Sequence, residues 1–132
     1  MKKILLVDDN NCLLWSLSTW LGYCGGGFTV VTADTGCKAL DILESSRPDL
    51  LITGLRLPDV DGLSFIRCVA ASCAEIPVIA LASYVDEEVR ERMNILGACD
   101  YLLKPFKFDA LLDKMYSCGR LGAREGQLVG LQ

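Results

Sequence analysis

Five short aliphatic runs recur along this chain, each followed by a longer stretch whose apolar residues return at helical spacing. The runs cover residues 3–7, 28–32, 49–53, 78–81 and 99–103. Between them, Leu13, Leu14, Leu17, Trp20 and Leu21 mark one amphipathic helix, and Ala39, Leu40, Ile42 and Leu43 mark the inward side of a second. Further helices are predicted over 63–71, 86–97 and 108–116. Asn10 or Asn11, Asp34 or Thr35, and Asp86 supply N-cap side chains, whose oxygens accept from the first free amides of a helix. Gly22, Gly25-Gly26-Gly27, Pro48, Pro77 and Gly97 supply the breaks. Runs that are apolar on both faces belong inside a sheet covered by helices on both sides. Strands that alternate with helices pair in parallel, because each crossover is a right-handed βαβ unit. The pattern therefore predicts one doubly wound α/β domain with a five-stranded parallel sheet and five helices. A length of 132 residues suits one such core. The domain is expected over 1–118. Residues 119–132, glycine-containing and weakly patterned, are expected to be a C-terminal tail or linker.

Composition narrows the function classes. Hydrophobic residues make up 52% of the chain, too many for a disordered segment. No apolar run approaches the roughly 20 residues that cross a bilayer. The opening Met-Lys-Lys and its aliphatic run stop at Asp8-Asp9, too early for a secretory signal, so a cytoplasmic protein is expected. Net charge is −4 and the basic residues are scattered, which argues against direct nucleic-acid binding. Histidine is absent, and none of the seven cysteines forms a CxxC pair, which argues against a zinc or iron site. Cys12, Cys68, Cys73 and Cys99 sit within apolar runs, and the cysteines are expected to be small buried hydrophobes in a reducing compartment.

Ligands of open parallel sheets bind beyond the carboxyl ends of the strands, where the winding reverses. The residues just after the strands are Asp8 and Asp9, then Gly54, then Ala82 and Ser83, then Lys104. Two acids and a lysine would converge on one crevice. Gly25-Gly26-Gly27 lies before the second strand, whereas glycines that cradle a phosphate belong between the first strand and its helix, so a nucleotide-binding reading is rejected.

Three motifs, in order and on the matching elements, carry a resemblance. They are Asp8-Asp9 after the first strand, Leu57-Pro58-Asp59-Val60-Asp61-Gly62 after the third, and the stretch from Gly97 to Phe106 around the fifth, which contains Tyr101 and Lys104-Pro105. Over roughly residues 2 to 117 the chain resembles the response-regulator receiver domains of bacterial two-component systems. The resemblance implies a flavodoxin-like fold with strand order 2-1-3-4-5. In such receivers an aspartate at the end of the third strand takes a phosphoryl group from a histidine kinase. An acidic pair holds magnesium, and a hydroxyl and a lysine hold the phosphoryl oxygens.

Two positions depart from that pattern. The acceptor, four residues before the loop proline, falls on Gly54, and no acid occurs from Leu50 to Leu57. The hydroxyl position, counted from Pro77, falls on Ala82. The resemblance therefore implies a degenerate receiver: no enzyme, with no catalytic residue and no required cofactor, acting through protein binding or dimerisation within a phosphorelay. The alternative is an active phosphoacceptor that uses Asp8, Asp9 or Asp59. Asp8 and Asp9 either hold a weakly bound Mg2+ or form an ion-paired remnant, with Lys104 neutralising one acid and Arg56 reaching the other. Lys104-Pro105 is implied to be a cis peptide bond. Tyr101 occupies the family's aromatic switch position. It either sits permanently inward in the space left by Ala82 or is an ordinary half-buried tyrosine. The implied partner surface is helix four, strand five and helix five, carrying Asp86, Glu87, Glu88, Arg90, Glu91, Arg92, Tyr101, Lys107 and Asp109. A histidine kinase, an output domain or another receiver, including a second copy, would dock there.

Overall fold

Alternate residues of the first strand face opposite ways, and this divides the core into two layers. A computed structural model of the chain describes residues 2–72, 75–119 and 121. The elements are β1 (Lys2–Val7), α1 (Asn11–Tyr23), β2 (Phe28–Ala33), α2 (Gly36–Ser45), β3 (Leu50–Gly54), α3 (Gly62–Ser72), β4 (Val78–Ala82), α4 (Glu87–Leu96), β5 (Asp100–Leu103) and α5 (Phe108–Cys118). All strand pairs are parallel, and the order is β2-β1-β3-β4-β5. Leu5, Val7 and Leu51 pack with Ala39 and Leu43 of α2, Phe65, Ile66 and Val69 of α3, and Met93 of α4. On the other face Ile4, Leu6, Leu50 and Ile52 pack with Leu14, Leu17 and Leu21 of α1 and with Leu111, Leu112 and Met115 of α5. β3 and β4 are buried along their whole length, as central strands covered on both faces must be.

Local signals set the helix ends. Asn10 accepts from the Leu13 amide at 3.1 Å, Thr35 from Lys38 at 3.0 Å and Asp86 from Val89 at 2.8 Å. Gly97 ends α4 in the left-handed region at φ 89°, a backbone that glycine adopts without a Cβ clash. Gly62 sits where an added Cβ would lie 2.3 Å from Leu55 Cα, so only glycine lets the β3–α3 loop close. Leu121 packs into the second core layer, past the expected domain limit. The tail from 122 onward lies outside the described residues. Among the described residues no helix is long and apolar enough to cross a membrane.

The cysteines differ from expectation. Cys12, Cys37, Cys68 and Cys99 are exposed, Cys24 and Cys118 are half-buried, and Cys73 lies outside the described residues. In α1 the buried row is Leu14, Leu17 and Leu21, and Cys12 falls about 200° round the helix from Leu14. Cys68 stands in the same relation to Ile66 of α3. Cys99 precedes β5 and is not part of it. An apolar neighbourhood in sequence did not translate into an inward direction.

Candidate functional site

The carboxyl ends of β1, β3, β4 and β5 meet in a crevice of about 320 Å³ lined by Asp9, Arg56, Ala82, Ser83, Tyr84 and Lys104, among others. Asp8 is only 1% exposed and is bonded to Lys104 of the lining. One carboxylate oxygen accepts from the Asn10 amide at 3.0 Å. The other accepts from Lys104 Nζ at 2.7 Å. Lys104 reaches Asp8 because β5 delivers it there: its amide donates to the Ala82 carbonyl at 2.7 Å, and the Lys104–Pro105 peptide bond is cis. A carboxylate buried this deeply is tolerated because it is both paired and hydrogen-bonded.

Gly54 is the last residue of β3, paired in register with Leu81. A Cβ built there would lie 2.7 Å from Asp8 Oδ2 and 3.2 Å from its Cγ. The Asp8 carboxylate thus occupies the space beside the bare backbone at the strand tip. The ladder does not need a side chain there, since the Leu55 amide still donates to the Leu81 carbonyl at 3.1 Å.

The remaining site residues are placed as follows. Asp9 is exposed at the crevice. Arg56 lines it too, but pairs through its backbone with Asp61. The expected ion pair between Arg56 and an acid is not among those formed by the described residues; as an exposed side chain, Arg56 gains little from fixing itself on Asp9. Ala82 is buried at the end of β4, and Ser83 is exposed one residue beyond it. Tyr101 is half-buried against the α2–α3–α4 layer and borders a shallow hollow with Val85, Asp86, Glu87 and Arg90.

Asp59 stands apart from the crevice. Its carboxylate accepts from the Gly36 and Cys37 amides, each at 2.8 Å, at the start of α2. Those two bonds hold its carboxyl below the usual carboxylate range. Sequence reasoning missed this role, since the partner amides lie 23 and 22 residues away. The spacing rules for local caps reach only two or three residues. Tyr84, exposed at the crevice, was also missed; a position beyond β4 carries no periodic signal.

The donor set fits a magnesium ion poorly. Magnesium takes oxygen ligands in near-octahedral geometry and releases its waters reluctantly. Here Gly54 offers no carboxylate, and Asp8 is committed to Lys104 and the Asn10 amide. Among the described residues Asp9 alone is a free acid at the crevice. Among the described residues no group of three acids, cysteines or histidines is disposed to hold a metal.

The family described as response regulator receiver domain matches residues 4–116. Response regulator MprA of Mycobacterium avium is 36% identical over 115 residues, covering 86% of this chain and 49% of that protein. The DNA-binding transcriptional regulator NtrC of Escherichia coli K12 is 32% identical over 117 residues, covering 86% of this chain and 24% of that protein. The chain spans half or less of these relatives' length. Among solved structures, chemotaxis protein CheY4 of Vibrio cholerae is 28% identical with a TM-score of 0.82, over 89% of this chain and 98% of that one.

Proposed function

The chain belongs to the response regulator receiver domain family of two-component signalling, and from that premise we propose that it is a pseudo-receiver, a cytoplasmic binding module that signals without being phosphorylated at the usual site. The observation that carries the reading is Gly54 at the tip of β3, with the Asp8 carboxylate lying over it. Glycine has no atom that can form an acyl phosphate. The acid nearest that point is held by Lys104 and the Asn10 amide. On this reading the domain turns over no substrate and needs no metal. Its output passes through the α4–β5–α5 face, by contact with a histidine kinase, an output domain or a second receiver, and Tyr101 belongs to that face. The mixed charges there, Glu87, Glu88, Arg90, Arg92 and Asp109, suit a specific and reversible contact.

The test is incubation with a small phosphodonor and magnesium, read by intact mass. No phosphoryl adduct is expected. An adduct that survives acid and is cleaved by hydroxylamine would refute the reading. Asp9 is then the acid to examine, because it is exposed at the crevice while Asp8 and Asp59 are both committed elsewhere. Loss of the adduct in Asp9→Ala would establish Asp9 as the acceptor.

A further inference from the structure

The C-terminal end of α5 lies beside the start of β5, tied there by Lys114 and Asp100, and the Cys99 side chain neighbours that of Cys118. Cys99 immediately precedes β5 and is fixed by its amide, which donates to the Val78 carbonyl at 2.8 Å. Cys118 is the last residue of α5 and packs against the second core layer. The next residue after Cys99 is Asp100, which accepts from Lys114 Nζ at 2.7 Å. Lys114 and Cys118 are four residues apart, so they share one side of the helix. The Asp100–Lys114 pair therefore fixes the last turn of α5 against the start of β5. Cys99 is exposed, while burial and then the neighbouring Cys99 sulfur push the Cys118 thiol up to about 12. The two thiols are thus unequal: one is open to solvent, and the other is sheltered and keeps its proton.

We propose that Cys99 and Cys118 form an oxidisable dithiol, a modification site at which a peroxide drives formation of an intramolecular disulfide. The exposed Cys99 reacts first. Its sulfur attacks one peroxide oxygen, an S–O bond forms, the O–O bond breaks, and the departing hydroxide takes the thiol proton to leave as water. Cys118 then attacks the sulfenic sulfur of Cys99. The S–S bond forms and the S–O bond breaks. The Cys118 proton leaves with the departing hydroxide as a second water. Two thiols lose two electrons, and the peroxide gains them. The scarcity of Cys118 thiolate argues against it as the first attacker and makes the second step the slower one, because the thiolate is the nucleophile in both. The product closes a loop of about 20 residues and ties α5 to β5 covalently where the Asp100–Lys114 pair now does so by charge.

The experiment treats the full chain with limiting hydrogen peroxide under native conditions, digests it with trypsin without reduction, and maps linked peptides. Peptides 93–107 and 115–120 carry the two cysteines. The expected result is one dominant link between them, with a whole-chain mass loss of about 2 Da that dithiothreitol reverses. Cys99→Ser and Cys118→Ser should each abolish the link, and Cys24→Ser should leave it. Repeating the oxidation in denaturing urea should scatter the links over all the cysteines. The proposal is overturned if the native protein links its cysteines at random or between chains. It is also overturned if Cys99 accumulates as sulfinic acid with Cys118 still reduced.

Discussion

Replacing Gly54 by aspartate gives the strongest test of how this crevice is balanced. The new Cβ would start 2.7 Å from Asp8 Oδ2, so the Asp8 carboxylate must move, and Lys104 and the Asn10 amide both oppose that movement. The added charge then faces Asp8, Asp9 and the one cation already paired there, Lys104, while Arg56, exposed at the rim, is screened by solvent. Two repulsions against one attraction leave about one unopposed like-charge pair. At roughly 5 Å and an effective dielectric of about 20, that pair costs about 3 kcal/mol. The crevice opens to solvent, which cuts the cost to about 1–2 kcal/mol, or roughly 3–8 °C in melting temperature for a domain of this size. A divalent cation should reverse the loss, because the variant now supplies a third carboxylate. Magnesium at ten times its dissociation constant would return about 1.4 kcal/mol. The assay is urea unfolding of both proteins, with and without millimolar Mg2+. The expected pattern is a variant destabilised without the ion and rescued by it, beside a parent protein that is indifferent to it. The reasoning fails if the parent gains as much from magnesium as the variant, or if the variant is fully stable in its absence.

Other outcomes follow from the same contacts. Lys104→Met should cost about 2 kcal/mol in equilibrium urea unfolding, since it strips the cation from a carboxylate only 1% exposed; Lys104 is itself 26% exposed, which keeps the cost below the 3–5 kcal/mol of a fully buried pair. The double variant with Asp8→Asn should recover part of that cost, and strictly additive losses would show the pair is uncoupled. Asp59→Ala should destabilise the protein above the ordinary carboxylate range and progressively less as pH falls through the depressed folded value, because a lowered carboxyl contributes only while ionised. Unfolding curves for variant and parent should therefore converge in acid. In iodoacetamide at pH 8, Cys118 should alkylate markedly more slowly than the exposed Cys12 or Cys37, read by peptide mass against time, because burial raises its thiol.

The fold was legible because its signals are local and repeated. The aliphatic runs gave all five strands to within one or two residues, and Asn10, Thr35 and Asp86 marked their helices through oxygens that reach an amide three positions on. The convergence of Asp8, Asp9, Gly54, Ala82 and Lys104 was legible from strand ends alone, since a parallel sheet brings those ends to one edge. What escaped were contacts between segments far apart in sequence. Asp59, offered as an alternative acceptor, reaches back to α2, and Arg56, placed near an acid, turns its backbone to Asp61. The cysteines escaped for a different reason. A thiol is apolar enough to sit in any run, so its neighbours do not report the side it faces, and only the helix phase of Cys12 and Cys68 does.

The sheet and the chemistry at its edge are separable in this molecule. Gly54 contributes to β3 through backbone bonds alone, and its neighbour Thr53 is fully buried with its hydroxyl bonded to the Gly54 carbonyl at 3.0 Å. Removing a carboxylate from that position leaves every ladder bond in place. The charge it would have carried is not missed either, because Lys104 is satisfied by Asp8. On the proposed reading, a receiver scaffold therefore loses its acceptor without losing the α4–β5–α5 surface, whose positions are set by β4–β5 pairing and by packing of Met93, Leu111 and Met115. On the proposed reading, that surface answers to occupancy by a partner, and any covalent control has to act elsewhere. The Cys99–Cys118 corner, on the far end of the same β5–α5 unit, is where the structure offers it.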